Sequence, residues 1–170
     1  MCYILYMQQP TSTKVRSAAI TMHEGKILLM HRISGGKEYY VFPGGKVESG
    51  EVPEQAVLRE VMEEASLTVA VDRLLYHITY DTGEQQYFYL CNYVSGEPKL
   101  GEGNELEAMK TGTEHGAQFF EPVWYHAKQL EPLLLYPLEI KDLLIEDIKS
   151  NYANNPRELS FKLSEKRETL

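Results

Sequence analysis

The chain has 170 residues, the size of one ordinary domain. Its residues are 43% hydrophobic and 11% aromatic, enough for a proper core. Its formal net charge of −8 argues against tight, non-specific binding to duplex nucleic acid, which phosphate neutralisation drives.

Residues 1–14 read as an N-terminal extension. Met1–Met7 is apolar and suits an added strand or a partner contact, and Gln8–Thr13 reads as a linker. The start lacks a basic leader and a small-residue cleavage site, so a signal peptide is not expected. No apolar run reaches the roughly eighteen residues of a membrane span. Cys2 and Cys91 are the only cysteines, which is no disulfide framework, and a reducing cytoplasm is the expected location.

Val15–Met22 predicts a strand, His23–Lys26 a turn with Gly25 at positive φ, and Lys26–Arg32 a second strand. The run Ile27-Leu28-Leu29-Met30 predicts burial on both faces. Ser34–Lys37 is a loop, Glu38–Phe42 a short aromatic strand, and Pro43-Gly44-Gly45 a sharp turn whose glycines let backbone approach a ligand. A helix is predicted from Pro53, with Val52 a poor cap and with Val57, Leu58, Val61, Met62 and Ala65 as its buried stripe. Ser66 falls at the helix end, where a left-handed conformation strains it by about 1 kcal/mol. Thr68–Tyr80, interrupted near Asp72-Arg73, and Gln85–Val94 predict a hairpin. Ser95–Gly116 is a long polar loop and Ala117–Tyr125 a final core strand, with a helical turn over His126–Leu130. Tyr136-Pro137 opens a second helix through Leu138, Ile140, Leu143, Leu144 and Ile148. Residues 151–170 read as a tail or, from the alternation of Leu159, Phe161 and Leu163, an added strand. Composition and pattern alone give an α/β or α+β class.

One stretch carries chemistry. Glu60, Glu63 and Glu64 lie three and four residues apart, so they share a helical face and repel one another. Such a cluster alone is ordinarily a solvated acidic face. A hard divalent cation would turn the repulsion into attraction, and a glycine-rich loop running into the helix supports that reading.

The spacing Gly45, Glu51, Arg59-Glu60-Val61, Glu63-Glu64, Leu67 resembles the Nudix box, the signature of Nudix hydrolases. It departs once, with Ser66 where the family has Gly. The resemblance implies an α/β/α sandwich with a mixed central sheet over residues 15–150, and a Nudix pyrophosphohydrolase, MutT-like, that needs Mg²⁺ or Mn²⁺. It implies Glu60, Glu63 and Glu64 as metal ligands and catalytic carboxylates, with the backbone of Gly44 as a further oxygen. Gly45, Glu51 and Arg59 would support the site, Arg59 by pairing with an acid such as Glu51. The family places its general base variably, so Glu102, Glu105, Glu107, Glu114 and His115 of the long loop are also candidates. Arg32, Lys37, Tyr39, Tyr40 and Glu105 are candidates to bind substrate. His23, His31, His77 and His126 lack ligand spacing and read as structural or surface residues.

The expected substrate is a small phosphorylated nucleotide derivative. Thr82–Gln85, where some subfamilies carry a Pro or Tyr marker, holds neither, which leaves a nucleoside triphosphate pyrophosphatase by elimination. The alternative is a non-catalytic domain that senses a nucleotide or sugar nucleotide. A third reading, compatible with the hydrolase, is an interaction module that forms a homodimer through the apolar N-terminus and the alternating C-terminal strand.

Overall fold

The computed structural model describes residues 14–101, 119–153 and 156–162. Its elements in chain order are β1 (Val15–His23), β2 (Lys26–Ser34), β3 (Lys37–Val41), β4 (Gly44–Lys46), α1 (Pro53–Ala65), β5 (Thr68–Tyr80) and β6 (Gln85–Ser95). β7 (Phe119–His126), a 3₁₀ turn (Ala127–Gln129), β8 (Leu135–Tyr136), α2 (Leu138–Lys149) and β9 (Arg157–Phe161) follow.

The described strands form one mixed sheet in the order β8-β3-β2-β1-β6-β5-β9, with β4 added on β1 and β7 on β2. β1 divides its edge. Met22 and His23 pair with β2, whereas Arg16–Ala18 pair antiparallel with β4. β1 also runs parallel to β6 along its length. The glycine turn predicted as a loop is therefore partly a strand, and this register carries it onto the sheet.

Successive residues along the central strands alternate between two cores. Ile20, Ile27, Leu29, Phe88 and Leu90 pack with Ile140 and Leu144 of α2. Ala19, Leu28, Tyr89 and Cys91 pack with Val57, Val61 and Ala65 of α1. The period-2 geometry of a strand buried on both faces requires this. The fold is the α/β class expected, with a helix on each face of a mixed sheet.

Two expectations are corrected. Leu58 and Met62 are exposed, at 39% and 48%, while Ala56 and Glu64 are buried in their place. At about 100° per residue, Val57, Val61 and Ala65 span one arc of about 80° on α1, and Glu64 lies just beyond its Val57 edge, on the side away from Leu58 and Met62. Drawing Glu64 inward turns the Leu58–Met62 flank to the outside. Leu138 of α2 is also exposed, at 45%. Residues 157–161 form a strand parallel to β5.

The hairpin of β5 and β6 has a register shift between Val71 and Arg73, where the sequence predicts an interruption. Ser66 adopts φ 56°, ψ 32°, and its N–H donates to Met62 O at 3.0 Å, closing α1 in the left-handed conformation expected. Val52 offers no side-chain acceptor. Gln55 Oε1 compensates by accepting the Val52 N–H at 3.1 Å. Residues 1–13 lie outside the described residues, as do Glu102, Glu105, Glu107, Glu114 and His115.

Candidate active site

Two close backbone approaches build the site. A Cβ on Gly44 would overlap the backbone of Ser17 and Ala18, so only glycine lets β4 lie this tightly on β1. A Cβ on Gly45 would overlap the Glu60 carboxylate. Gly45 thus yields its side-chain space to an acid from α1. Ser17 fixes the start of that helix, its hydroxyl donating to Pro53 O at 2.7 Å.

Arg59 gathers the acids. Its Nε and one terminal nitrogen donate to the two Glu51 oxygens at 3.0 and 2.9 Å. Its other terminal nitrogen donates to Glu60 Oε1 at 2.9 Å and Glu63 Oε2 at 3.1 Å, and a further bond reaches Lys46 O at 3.1 Å. The planar fork of a guanidinium suits this set, and an ammonium would not reproduce it. The bonds from Arg59 hold the Glu51 carboxyl below the usual range and raise the proton affinity of Arg59. Glu60 goes the other way. Burial raises its carboxyl above the usual range despite Arg59, so desolvation outweighs the ion pair there.

Glu64 is 4% exposed and accepts the Gly44 N–H at 2.9 Å. Arg32 reaches it at 3.5 Å and lies over the Phe120 ring, 5.2 Å from its centroid. From the other side, Arg16 donates to Gly44 O at 3.1 Å. Together Arg16, Arg32, Gly44, Gly45, Lys46, Arg59, Glu60, Glu63 and Glu64 line a cleft of about 760 Å³.

Tyr40 does not line this cleft. It pairs with His31 on the opposite face of the sheet, its ring stacked on that imidazole at 4.9 Å, and burial with the neighbouring Glu38 raises its phenol. Tyr39 and Lys37 are likewise outside the cleft lining. Sequence reasoning missed Arg16 and Ser17, whose roles come from the β1–β4 register and leave no local motif. Buried Cys91, its thiol pushed up to about 12 by desolvation, is no nucleophile.

Among the described residues, no three His, Cys, Asp or Glu side chains converge as a ready-made metal cage. The Arg59 guanidinium stands between Glu60 and Glu63 instead. The donor set nevertheless suits a hard divalent cation, with three carboxylates and a backbone carbonyl lining one cleft. Glu63, with its side chain 48% exposed, has the freedom to leave Arg59 for a cation.

The NUDIX domain model matches residues 12–138. The chain is 40% identical over 98 residues to the 8-oxo-dGTP diphosphatase of Haemophilus influenzae, which covers 54% of this chain and 71% of that protein. It is 41% identical over 71 residues to the 8-oxo-dGTP diphosphatase of Escherichia coli, 40% of this chain and 55% of that one. Among solved structures, a NUDIX hydrolase from Nitrosomonas europaea superposes with a TM-score of 0.67 at 17% identity, over 91% of this chain and 81% of that one, a likeness of fold. A domain match over most of the chain, on a fold of the same kind, makes this protein a member of the NUDIX family.

Proposed function

We propose that the chain hydrolyses the diphosphate linkage of a nucleoside diphosphate derivative, with Mg²⁺ or Mn²⁺, and that nucleoside triphosphates are its favoured substrates. The enzyme is a pyrophosphohydrolase. The observation that carries this is the assembly of Glu60, Glu63 and Glu64 in one cleft whose walls also bear Arg16 and Arg32. Two relatives named 8-oxo-dGTP diphosphatase support a nucleoside triphosphate. A relative named NAD-capped RNA hydrolase, 32% identical over 131 residues, keeps the wider class of nucleoside diphosphate derivatives open.

A bound divalent cation would neutralise phosphate charge and acidify a water, with Glu60, Glu63, Glu64 and the Gly44 carbonyl as its ligands. The protein supplies the rest. Arg16 and Arg32 bring positive charge to the phosphates from opposite walls, where positioning and charge neutralisation do most of the work of phosphoryl chemistry. Arg59 orients Glu60 and Glu63 from behind, braced by Glu51. Glu63 or Glu64 accepts the proton of the attacking water.

The test is product analysis for a panel of nucleotides with Mg²⁺, Mn²⁺ or chelator: pyrophosphate or phosphate from nucleoside triphosphates, canonical and oxidised, nucleoside monophosphate with a sugar phosphate from ADP-ribose and nucleotide sugars, and mononucleotides from dinucleoside polyphosphates. Metal-dependent turnover is expected. Glu63→Gln and Glu64→Gln should each lower it by roughly 10²- to 10⁴-fold with an unchanged melting curve. An active double variant would overturn the assignment of these carboxylates.

A further inference from the structure

A second cavity adjoins the carboxylate cleft and shares Arg16 and Gly44 with it. It is a slot of about 250 Å³ on the α2 face of the sheet. Its walls are aromatic and apolar: Phe42, Tyr80, Phe88 and Tyr136, with Pro137 beside them. Phe42 and Phe88 meet edge to face at 5.7 Å, and Tyr136 is held edge-on by Tyr39 at 5.8 Å. Aromatic walls of this kind suit a planar ring better than an alkyl chain.

One side chain in the slot carries an uncommitted amide. Gln86 of β6 pairs in register with Arg16 of β1, so the two stand side by side on one face. The neighbouring Gln85 is engaged, its Oε1 accepting from Tyr87 and facing His77 Nε2 at 3.1 Å. Gln86 makes no side-chain hydrogen bond to any described residue. A half-buried amide left unpaired beside aromatic walls gains by meeting a polar edge.

We propose that Gln86 is a specificity-determining residue that hydrogen-bonds the edge of an aromatic base seated in this slot, while Arg16 beside it holds the phosphate that leads from base to cleft. The proposal rests on the nucleotide reading above. It adds which wall takes the base and which side chain selects it. The order of groups along the seam matches the order in a nucleotide: aromatic walls and Gln86, then Arg16, then the carboxylates.

The experiment needs no turnover. Binding of the four common nucleoside 5′-monophosphates and of ribose 5-phosphate is measured by calorimetry on the full chain, as wild type, Gln86→Leu and Gln86→Glu. Wild type should bind at least one nucleotide about tenfold more tightly than ribose 5-phosphate, with a comparable spread among bases. Gln86→Leu should collapse that spread and leave ribose 5-phosphate affinity unchanged. Gln86→Glu, which offers only acceptors, should move the preference toward bases with an amino edge. Equal binding of nucleotides and ribose 5-phosphate would overturn the proposal, as would a base preference that survives both substitutions, or no binding of any of these compounds. Base-selective binding without hydrolysis across the panel would sink the hydrolase reading and leave this one standing. Hydrolysis indifferent to the base, with Gln86→Leu unaffected, would do the reverse.

Discussion

Arg59 uses all five of its N–H donors, two of them on Glu51 and one each on Glu60, Glu63 and the Lys46 carbonyl. Glu51 therefore keeps Arg59 from being shared by the site acids alone. Because the native Glu51 carboxyl lies below its unfolded value, the unfolded chain binds this proton first as pH falls. The stability that Glu51 adds is present above the ordinary carboxylate range and is lost as pH drops through the depressed native value. Glu51→Gln should thus melt below wild type at neutral pH, and the gap should close as pH falls through and below the ordinary carboxylate range. Melting curves across that range check it, and a gap independent of pH would show that the charge of Glu51 is irrelevant. Ser66 is the other telling residue. Its φ of 56° costs an L side chain about 1 kcal/mol, partly offset in a glycine by the entropy of the unfolded chain. Ser66→Gly should raise the melting temperature by about 2 °C with activity unchanged. A large loss of activity would reveal a role for the hydroxyl.

At the scale of elements, β9 is held by a buried charge. Asp147 of α2 is fully buried, accepts the Tyr76 hydroxyl at 2.8 Å and pairs with Arg157 of β9 through both its oxygens. Burial beside this carboxylate pushes the Tyr76 phenol far up, so the hydroxyl stays a donor. Removing Arg157 would strand a carboxylate in the core. Arg157→Ala should cost about 3 kcal/mol in urea unfolding, and adding Asp147→Asn should recover part of it. If the single variant is neutral, β9 is not held this way. This network was not legible in the sequence, because Tyr76, Asp147 and Arg157 meet only through the fold. The box was legible because its residues act within one helix and the loop before it, where spacing is geometry. Leu58 and Met62 misled for the same reason: their spacing fits a stripe, but the site draws Glu64 inward and so chooses which stripe is buried. Arg16 and Gln86 are brought together by parallel pairing of β1 and β6 across 70 positions of register partners, a relation no local pattern encodes.

For the whole molecule, the site sits where several separately specified features converge: the β1–β4 register, the start of α1 fixed by Ser17, and Gly45, which yields space to Glu60. The folded chain carries a net charge of −8 and concentrates Glu60, Glu63 and Glu64 on one cleft wall. Folding therefore brings these carboxylates together, with Arg59 and Arg32 as their ion-pair partners, and burial of Glu60 adds a desolvation cost that its raised carboxyl reports. A cation that binds the folded cleft and not the unfolded chain should relieve both. Its effect follows mass action, growing with the logarithm of concentration and reaching about 2.7 kcal/mol at a hundred times the dissociation constant. Titrating Mg²⁺ should thus raise the melting temperature steadily, and chelator should return it to the starting value. Na⁺ at equal ionic strength should not reproduce the rise, because general screening acts on the whole acidic surface and not on three carboxylates. The Glu63→Gln/Glu64→Gln double variant should start near the wild-type melting temperature, having lost repulsion and ion pairs together, and should respond little to Mg²⁺. If Mg²⁺ shifts the double variant as much as wild type, the ion stabilises the protein elsewhere, and these carboxylates are a solvated acidic face after all.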